Sequence, residues 1–474
     1  MPVLYRVDAI DDSGKWKGMA LMSKSNARRA IIVLGGFALL IALFYAEEDW
    51  RGWRAWKNCK RELEAKGAVL DWDKFIPPPV PDDRNFFVAP EMTAWFVRGQ
   101  GGTALPKSLE SKKTFAAISS DTAARDYLVW SDQFESEFAQ IREALQRPYM
   151  RMDGDYSKPA EQPIPNFVSL RTLAQVLAQR TKCYLLLGLP EEALHELTLL
   201  NDSRRITEAA PTGQPMTLVA AMINVAVTGL YVSTIADGLQ RHAWREPQLV
   251  ALQKQLAEIN LAPLVVHAFE NEPAADCRTL ETASLGKFKF VFSSSGSHRS
   301  IWQKVKDLTP NRYDLVPRGW VYQNLALIVR LERQQIEGFD LTDNLMLPGK
   351  FKALKRQIDA AFSGRARPYN FLAAIFVPNA SKASETLAHN QTLVNEAQIA
   401  CALERFHLAY DGYPPTLEAL VPQFIEKLPH DIIGGQPLLY RRTGDGKFLL
   451  HSVGWNETDD GGTASDWVWQ YPLK

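Results

Sequence analysis

The apolar residues of this chain follow two kinds of pattern. Two long stretches, residues 30–46 and 209–236, contain no charged residue. Between residues 116 and 390 the apolar residues mostly recur every three or four positions, the spacing that places them on one face of an α-helix. The pattern predicts a mainly α-helical protein with a helical domain over residues 116–390.

The first uncharged stretch has the properties of a transmembrane helix. At about 1.5 Å per residue, residues 30–46 form roughly 25 Å of helix, the short end of what crosses a bilayer core. Arg28 and Arg29 precede it directly, and the acidic run 47–49 follows. Basic residues stay on the cytoplasmic side. We therefore predict a single-pass protein of a bacterial inner membrane, with residues 1–29 as a cytoplasmic tail, residues 30–46 in lipid and the bulk of the chain outside. Translation could begin at Met22, which would shorten the tail.

The second uncharged stretch allows two interpretations. Residues 209–236 are long enough to span a membrane, and a second span would return the C-terminus to the cytoplasm. The stretch contains Thr217, Asn224 and Thr228, however, and lacks flanking basic residues. A helix that is apolar on all sides is often the central helix of a bundle, and this interpretation is favoured.

Residues 47–115 are predicted to begin as a helix and then become a connector. Trp50, Trp53 and Trp56 lie three residues apart, either as an anchor among the lipid headgroups or as the apolar face of a soluble helix. The proline-rich segment 76–83 cannot be helical and is expected to act as a stiff spacer.

Within the helical domain, one pair of helices is well marked. An apolar periodicity from Leu170 to Leu187 ends at Gly188, and Pro190 begins a second helix with Glu191 and Glu192 in its first turn. The pair resembles one tetratricopeptide unit. No clean repeat of that length follows, so a helical solenoid is only suggested.

The last part of the chain, residues 391–474, predicts a small α+β domain. Ile399, Leu403, Phe406 and Tyr410 form one apolar stripe of a helix. Two strands, 438–442 and 448–453, flank a Thr-Gly-Asp-Gly turn, which is a strong hairpin signal. An acidic loop over residues 454–466 follows, and residues 467–471 are predicted as a third strand.

This order of elements resembles the soluble domain of the major pseudopilin of type II secretion systems. The similarity rests on LERFHLAYDGYPPTLEALV, DIIGGQPLLYRR and FLLHSVGWNETDDGG, and it covers roughly residues 391–474. The whole chain also resembles uncharacterised membrane-anchored proteins of planctomycete and verrucomicrobial type. In the pseudopilins the acidic loop binds calcium. The resemblance implies these ligands here: the backbone of Val453 and the side chains of Asn456, Asp459, Asp460 and Asp466.

The chain departs from true pseudopilins in one respect. Their hydrophobic helix lies at the very N-terminus, follows a prepilin peptidase cleavage site and continues into the domain. Here the predicted span is far from the pseudopilin-like part, and no such cleavage motif precedes Ala30. Polymerisation into a pilus is therefore not expected, and a borrowed domain is the preferred interpretation.

Composition and motifs narrow the possible functions. Lys plus Arg and Asp plus Glu are balanced at 54 each, so the sequence lacks the basic excess of a nucleic-acid-binding protein. It contains no HExxH, CxxC, GxGxxG or P-loop motif, and no catalytic residue is predicted. Cys59, Cys183, Cys277 and Cys401 are either disulfide-bonded or buried thiols. His451, beside the acidic loop, is expected to pack across the hairpin rather than to bind metal.

These observations favour an interaction module. We expect the helical domain to present a surface to another cell-envelope protein, in a scaffold linked to a type II secretion or pilus-like system. The alternative is a membrane-tethered hydrolase whose site assembles from scattered carboxylates or histidines of the helical domain, because active sites converge in space rather than along the chain.

Overall fold

A computed structural model describes residues 24–98, 118–208, 215–282, 316–363, 367–377, 380–463 and 465–469. These residues are mainly α-helical, so the predicted fold class is confirmed at that level. Most of the predicted cytoplasmic tail, including Met22, and the end of the predicted third strand lie outside the described residues.

The chain divides into two compact units. The first unit comprises Met1–Arg61 and Ala283–Ala326, and the second comprises Glu62–Thr282 and Leu327–Lys474. The longest described helix, α1 (Lys24–Ala65), includes the predicted span and the tryptophan stripe in one continuous element. Helix α10 (Arg318–Ile336) begins in the first unit and ends in the second.

The remaining helices of the described residues belong to the second unit. They are α2 (Met92–Phe96), α3 (Asp121–Ser131), α4 (Glu135–Ala144), α5 (Phe167–Leu186), α6 (Pro190–Ser203), α7 (Leu218–Gln240), α8 (Glu246–Ala257), α9 (Ala262–Thr282), α11 (Pro348–Phe362), α12 (Ala373–Phe376) and α13 (Ala380–Tyr410). Short 3-10 turns occur at Trp72–Phe75, Asp82–Arg84, Phe86–Val88, Asp132–Phe134, Pro159–Glu161, Arg204–Thr207 and Leu417–Leu420.

Helix α7 lies at the centre of the second unit. It contacts α5, α6, α9 and α13, which explains why its sequence is apolar on all sides. Asn224 is fully buried in it and donates to the backbone carbonyl of Arg204 at 3.0 Å. A buried amide with a protein partner is the usual solution in a soluble core.

The predicted helix pair is confirmed as α5 and α6, which pack against each other. Gly188 has φ +72 in the turn between them, a left-handed conformation that favours glycine. Residues 86–97, which the sequence analysis placed in the connector, contribute to the same core. Phe86, Met92 and Phe96 are each 0% exposed.

The C-terminal strands form one antiparallel sheet in the order β3 (Leu439–Arg442), β4 (Phe448–Ser452) and β5 (Trp467–Trp469). The hairpin prediction is confirmed, with Leu439 opposite His451. Two shorter strands, β1 (Phe339–Asp340) and β2 (Leu345–Met346), pair separately. Helix α13 runs through residue 391, the predicted domain boundary, and contacts both the helical body and the sheet.

Candidate functional site

The apolar part of α1 is the most exposed apolar surface among the described residues. Ten large side chains are between 44% and 69% exposed: Ile31, Ile32, Val33, Leu34, Phe37, Leu39, Leu40, Ile41, Leu43 and Phe44. A water-soluble protein rarely leaves so large an apolar surface uncovered. The surface is suited to contact with lipid.

Two further helical stretches are long and apolar enough to cross a membrane by length and composition. They are Leu218–Gln240, with 61% of its apolar window buried, and Glu246–Thr282, with 44% buried. In the stretch Arg28–Ala65, by contrast, 0% of the window is buried. The sequence analysis anticipated the candidates Arg28–Ala65 and Leu218–Gln240 but not Glu246–Thr282.

The tryptophan stripe is divided between two environments. Trp50 and Trp53 are 56% and 48% exposed, whereas Trp56 is 4% exposed. Arg54 lies over the Trp50 ring at 5.3 Å and Lys57 over the Trp53 ring at 4.7 Å. Aromatic rings paired with cations are suited to a headgroup region, so two of the three tryptophans have the environment expected of an anchor.

The acidic residues that follow the apolar stretch hold the start of α10. Asp49 Oδ1 accepts from the Gly319 N–H at 2.7 Å, and Glu48 Oε2 accepts from the Trp320 Nε1–H at 2.9 Å. Carboxylates are stabilising beside the free N–H groups of a helix N-terminus. The helices approach so closely that a Cβ on Gly52 would lie 2.0 Å from the Gly319 carbonyl oxygen.

The acidic loop folds around the carboxylate of Asp466, whose side chain is 0% exposed. Asp466 Oδ2 accepts from the Gly462 N–H at 2.7 Å and from the Asp460 N–H at 3.1 Å. Gly461 and Gly462 both have positive φ. Glycine allows the chain to turn back here and to bring its N–H groups to the carboxylate.

The structure brings two of the five predicted calcium ligands together. Asp459 and Asp466 lie in one group with His451, and the ligand atoms of these three residues all lie within 4.8 Å of one another. Asn456 Nδ2 donates instead to Asp460 Oδ2 at 2.8 Å. The Val453 N–H donates to Asp431 at 3.2 Å. Calcium requires six to eight oxygen ligands, and the described side chains supply fewer at this point. The calcium site stays a prediction.

His451 faces the loop, whereas the sequence analysis expected it to pack across the hairpin. Its Nε2 lies 3.2 Å from Asp459 Oδ1 and 3.9 Å from Asp466 Oδ2. Two hydrogen bonds lower the pKa of Asp459. The one from the Gly461 N–H has the larger effect, and the one from His451 has the smaller effect. Alternation along β4 could have indicated the direction of this side chain.

A group of carboxyls, one buried and two half-buried, was missed by the sequence analysis. Glu272 and Asp276 lie one turn apart on α9, and Glu332 of α10 is 2% exposed. Burial raises the pKa of Glu272 to about 7, although a hydrogen bond from the Leu218 N–H acts to lower it. Burial is the main cause that raises the pKa values of Asp276 and Glu332 well above the usual range. The charge of Glu272 raises the pKa of Asp276 further, and the charges of Asp276 and Glu272 raise that of Glu332. The carboxyl groups of Asp276 and Glu332 are hydrogen-bonded to each other.

The four cysteines are buried and are not joined in disulfides. Comparison of the chain with protein-family models, with curated proteins and with solved structures found no match. The geometry described above therefore carries the functional argument.

Proposed function

We propose that this protein is a bacterial inner-membrane protein, held by one lipid-spanning helix at residues 30–46, that presents its helical body and its C-terminal sheet outside the cytoplasm as a scaffold for another envelope protein. The observation that carries the proposal is the exposed apolar surface of α1, in which 0% of the apolar window is buried. The pseudopilin resemblance favours a partner in a type II secretion or pilus-like system.

Packing supports a single span. Helix α7 fits its environment as a core helix, because Asn224 and Thr228 are 0% exposed and several helices of the second unit cover it. The stretch Glu246–Thr282 contains the whole of α8 and α9 with a break between them, and it includes Glu272 and Asp276. Acidic side chains are rare and costly in the hydrocarbon core.

A partly exposed aromatic cluster supports the scaffold role. Tyr410 is 58% exposed at the end of α13, and its ring lies 4.6 Å from that of Phe406 and 6.0 Å from that of Phe424. Val421, in the turn before Phe424, is 40% exposed. Aromatic side chains in such surfaces often dominate protein binding.

Photo-crosslinking in cells tests the scaffold role. A benzophenone amino acid at position 410 is expected to yield a discrete crosslinked product, because Tyr410 is the exposed aromatic anchor of the cluster. The same amino acid at Lys447, whose side chain beside the hairpin turn is 43% exposed, serves as the matched control. Val421→Glu, which places a charge in the cluster, is expected to remove the product at 410. Equal products at 410 and 447, or none at 410, would contradict the proposal.

The membrane-tethered hydrolase is the second candidate, and the carboxyl group of Glu272 favours it. An acid whose pKa is about 7 suits general acid–base catalysis near neutral pH. A screen of the full-length chain on ester and peptide substrates tests this candidate. Activity that Glu272→Gln abolishes would favour the hydrolase over the scaffold.

A further inference from the structure

We propose that His451, Asp459 and Asp466 bind a first-row transition-metal dication of the Zn²⁺ type, in place of the calcium ion that the pseudopilin resemblance implies. The proposal concerns a different ligand set on the same loop. It does not depend on the membrane anchor or on the scaffold role.

The spacing of the three side chains suits a small dication. Zinc binds nitrogen and carboxylate oxygen at about 2.0–2.2 Å in a tetrahedron, which separates neighbouring ligand atoms by about 3.3–3.5 Å. The two distances from His451 Nε2, 3.2 Å to Asp459 Oδ1 and 3.9 Å to Asp466 Oδ2, lie on either side of that value. All three ligand atoms lie within 4.8 Å of one another, so side-chain movements on the order of 1 Å would complete the three-ligand arrangement.

The ligand types favour a transition metal over calcium. Imidazole nitrogen is a good ligand for zinc, copper, iron and nickel, whereas calcium takes oxygen ligands. The side chain of His451 is 6% exposed and directs Nε2 at the two carboxylates. As ligands, one imidazole nitrogen and two carboxylates would together balance the charge of a dication.

The loop holds its carboxylates in place before any ion binds. Backbone N–H groups of Asp460 and Gly462 fix Asp466, and the Gly461 N–H fixes Asp459 at 2.8 Å. Such hydrogen bonds to the ligands raise metal affinity, because they orient the carboxylates. Asp459 is 53% exposed, so an ion could enter from its side and keep a fourth position for water.

The tautomer of His451 is free to adapt. Its Nδ1 is buried and has no hydrogen-bond partner within the described part of the chain. Because no described donor bonds Nδ1, the ring proton can occupy Nδ1. The lone pair of Nε2 is then available to a metal. Without a metal, the Nε2–H would simply donate to Asp459.

Calorimetric titration of the full-length chain in detergent with Zn²⁺ tests the proposal. The wild type is expected to bind one equivalent. Asp459→Asn, at the exposed side of the loop, is expected to weaken binding by at least about tenfold, since loss of even an outer-shell partner costs that much. Asp445→Asn removes one exposed carboxylate from the neighbouring hairpin turn and should bind as the wild type does.

Two further measurements separate the alternatives. His451→Gln, with its fold checked by circular dichroism, should lose Zn²⁺ binding. Co²⁺ bound to the wild type should show the visible absorption spectrum of a tetrahedral ion with nitrogen and oxygen ligands. A cobalt–thiolate band would place the ion at a cysteine and overturn the proposal. The proposal would also be overturned if calcium binding depended on Asp459 and Zn²⁺ binding survived His451→Gln.

Discussion

Replacing Arg180 by methionine is expected to lower the free energy of unfolding of the second unit by about 3–5 kcal/mol. The Arg180 side chain on α5 is 2% exposed and bonds Asp132 at 2.8 Å and Glu196 of α6 at 3.2 Å. It also donates to Ser131 Oγ at the end of α3 at 2.7 Å. Its removal would leave the buried Glu196 with less compensation, and an incompletely compensated buried charge is strongly destabilising.

Pulse proteolysis of the full-length chain in urea measures this change. The matched control is Lys158→Met, because Lys158 is 57% exposed and its ion pairs with Asp155 and Glu161 are solvated. Exposed pairs contribute about 0–1 kcal/mol. The double variant Arg180→Met with Glu196→Met should recover part of the loss, since it removes the buried charge as well. Equal losses for Arg180→Met and Lys158→Met would contradict the account.

The stability of the second unit is expected to fall as the pH rises from about 5 to about 8. Burial raises the pKa of Glu272 from 4.5 to about 7, and it raises the pKa values of Asp276 and Glu332 further. In this interval the folded state holds protons that the unfolded chain has released. Because the folded state binds more protons, its stability decreases with pH. For Glu272 alone, the difference corresponds to at most about 3 kcal/mol.

Urea denaturation across this pH range checks the prediction. Glu272→Gln and Glu332→Gln replace a neutral acid by a neutral amide of similar shape. Each is expected to flatten the pH dependence and to be more stable than the wild type at pH 8. Glu161→Gln, at an exposed position, should follow the wild-type curve. A wild-type protein that becomes more stable between pH 5 and 8 would show that these acids are ionised in the folded state.

Local patterns were enough to predict several elements of the fold. The turn residues of the hairpin specify β3 and β4, and Gly188 followed by Pro190 specifies the boundary between α5 and α6. These signals act over a few residues, so they are readable along the chain. The central position of α7 also followed from its sequence, because a helix that is apolar on all sides must be covered on all sides.

The contacts that matter most for the candidate sites join residues that are far apart in sequence. Asp276 and Glu332 are hydrogen-bonded only because α9 and α10 are adjacent in the second unit. The acidic residues Glu48 and Asp49 were interpreted as a flank of the span, yet they bond the start of α10. Asn456 and Asp460 were predicted as calcium ligands from the resemblance to pseudopilins. In the structure, their side chains are hydrogen-bonded to each other. No spacing rule encodes these pairings.

Labelling of single introduced cysteines by a membrane-impermeant maleimide tests the central claim most directly. The four natural thiols are buried, so the unmodified chain sets a low background. Ser25 and Lys158 are exposed, and the side chain of Lys447 is 43% exposed. The three residues lie before the proposed span, before α7 and after α9, respectively. In intact spheroplasts, Lys158→Cys and Lys447→Cys are expected to be labelled, and Ser25→Cys only after permeabilisation. Labelling of Ser25→Cys in intact spheroplasts, or protection of Lys447→Cys until lysis, would contradict a single span with the N-terminus inside.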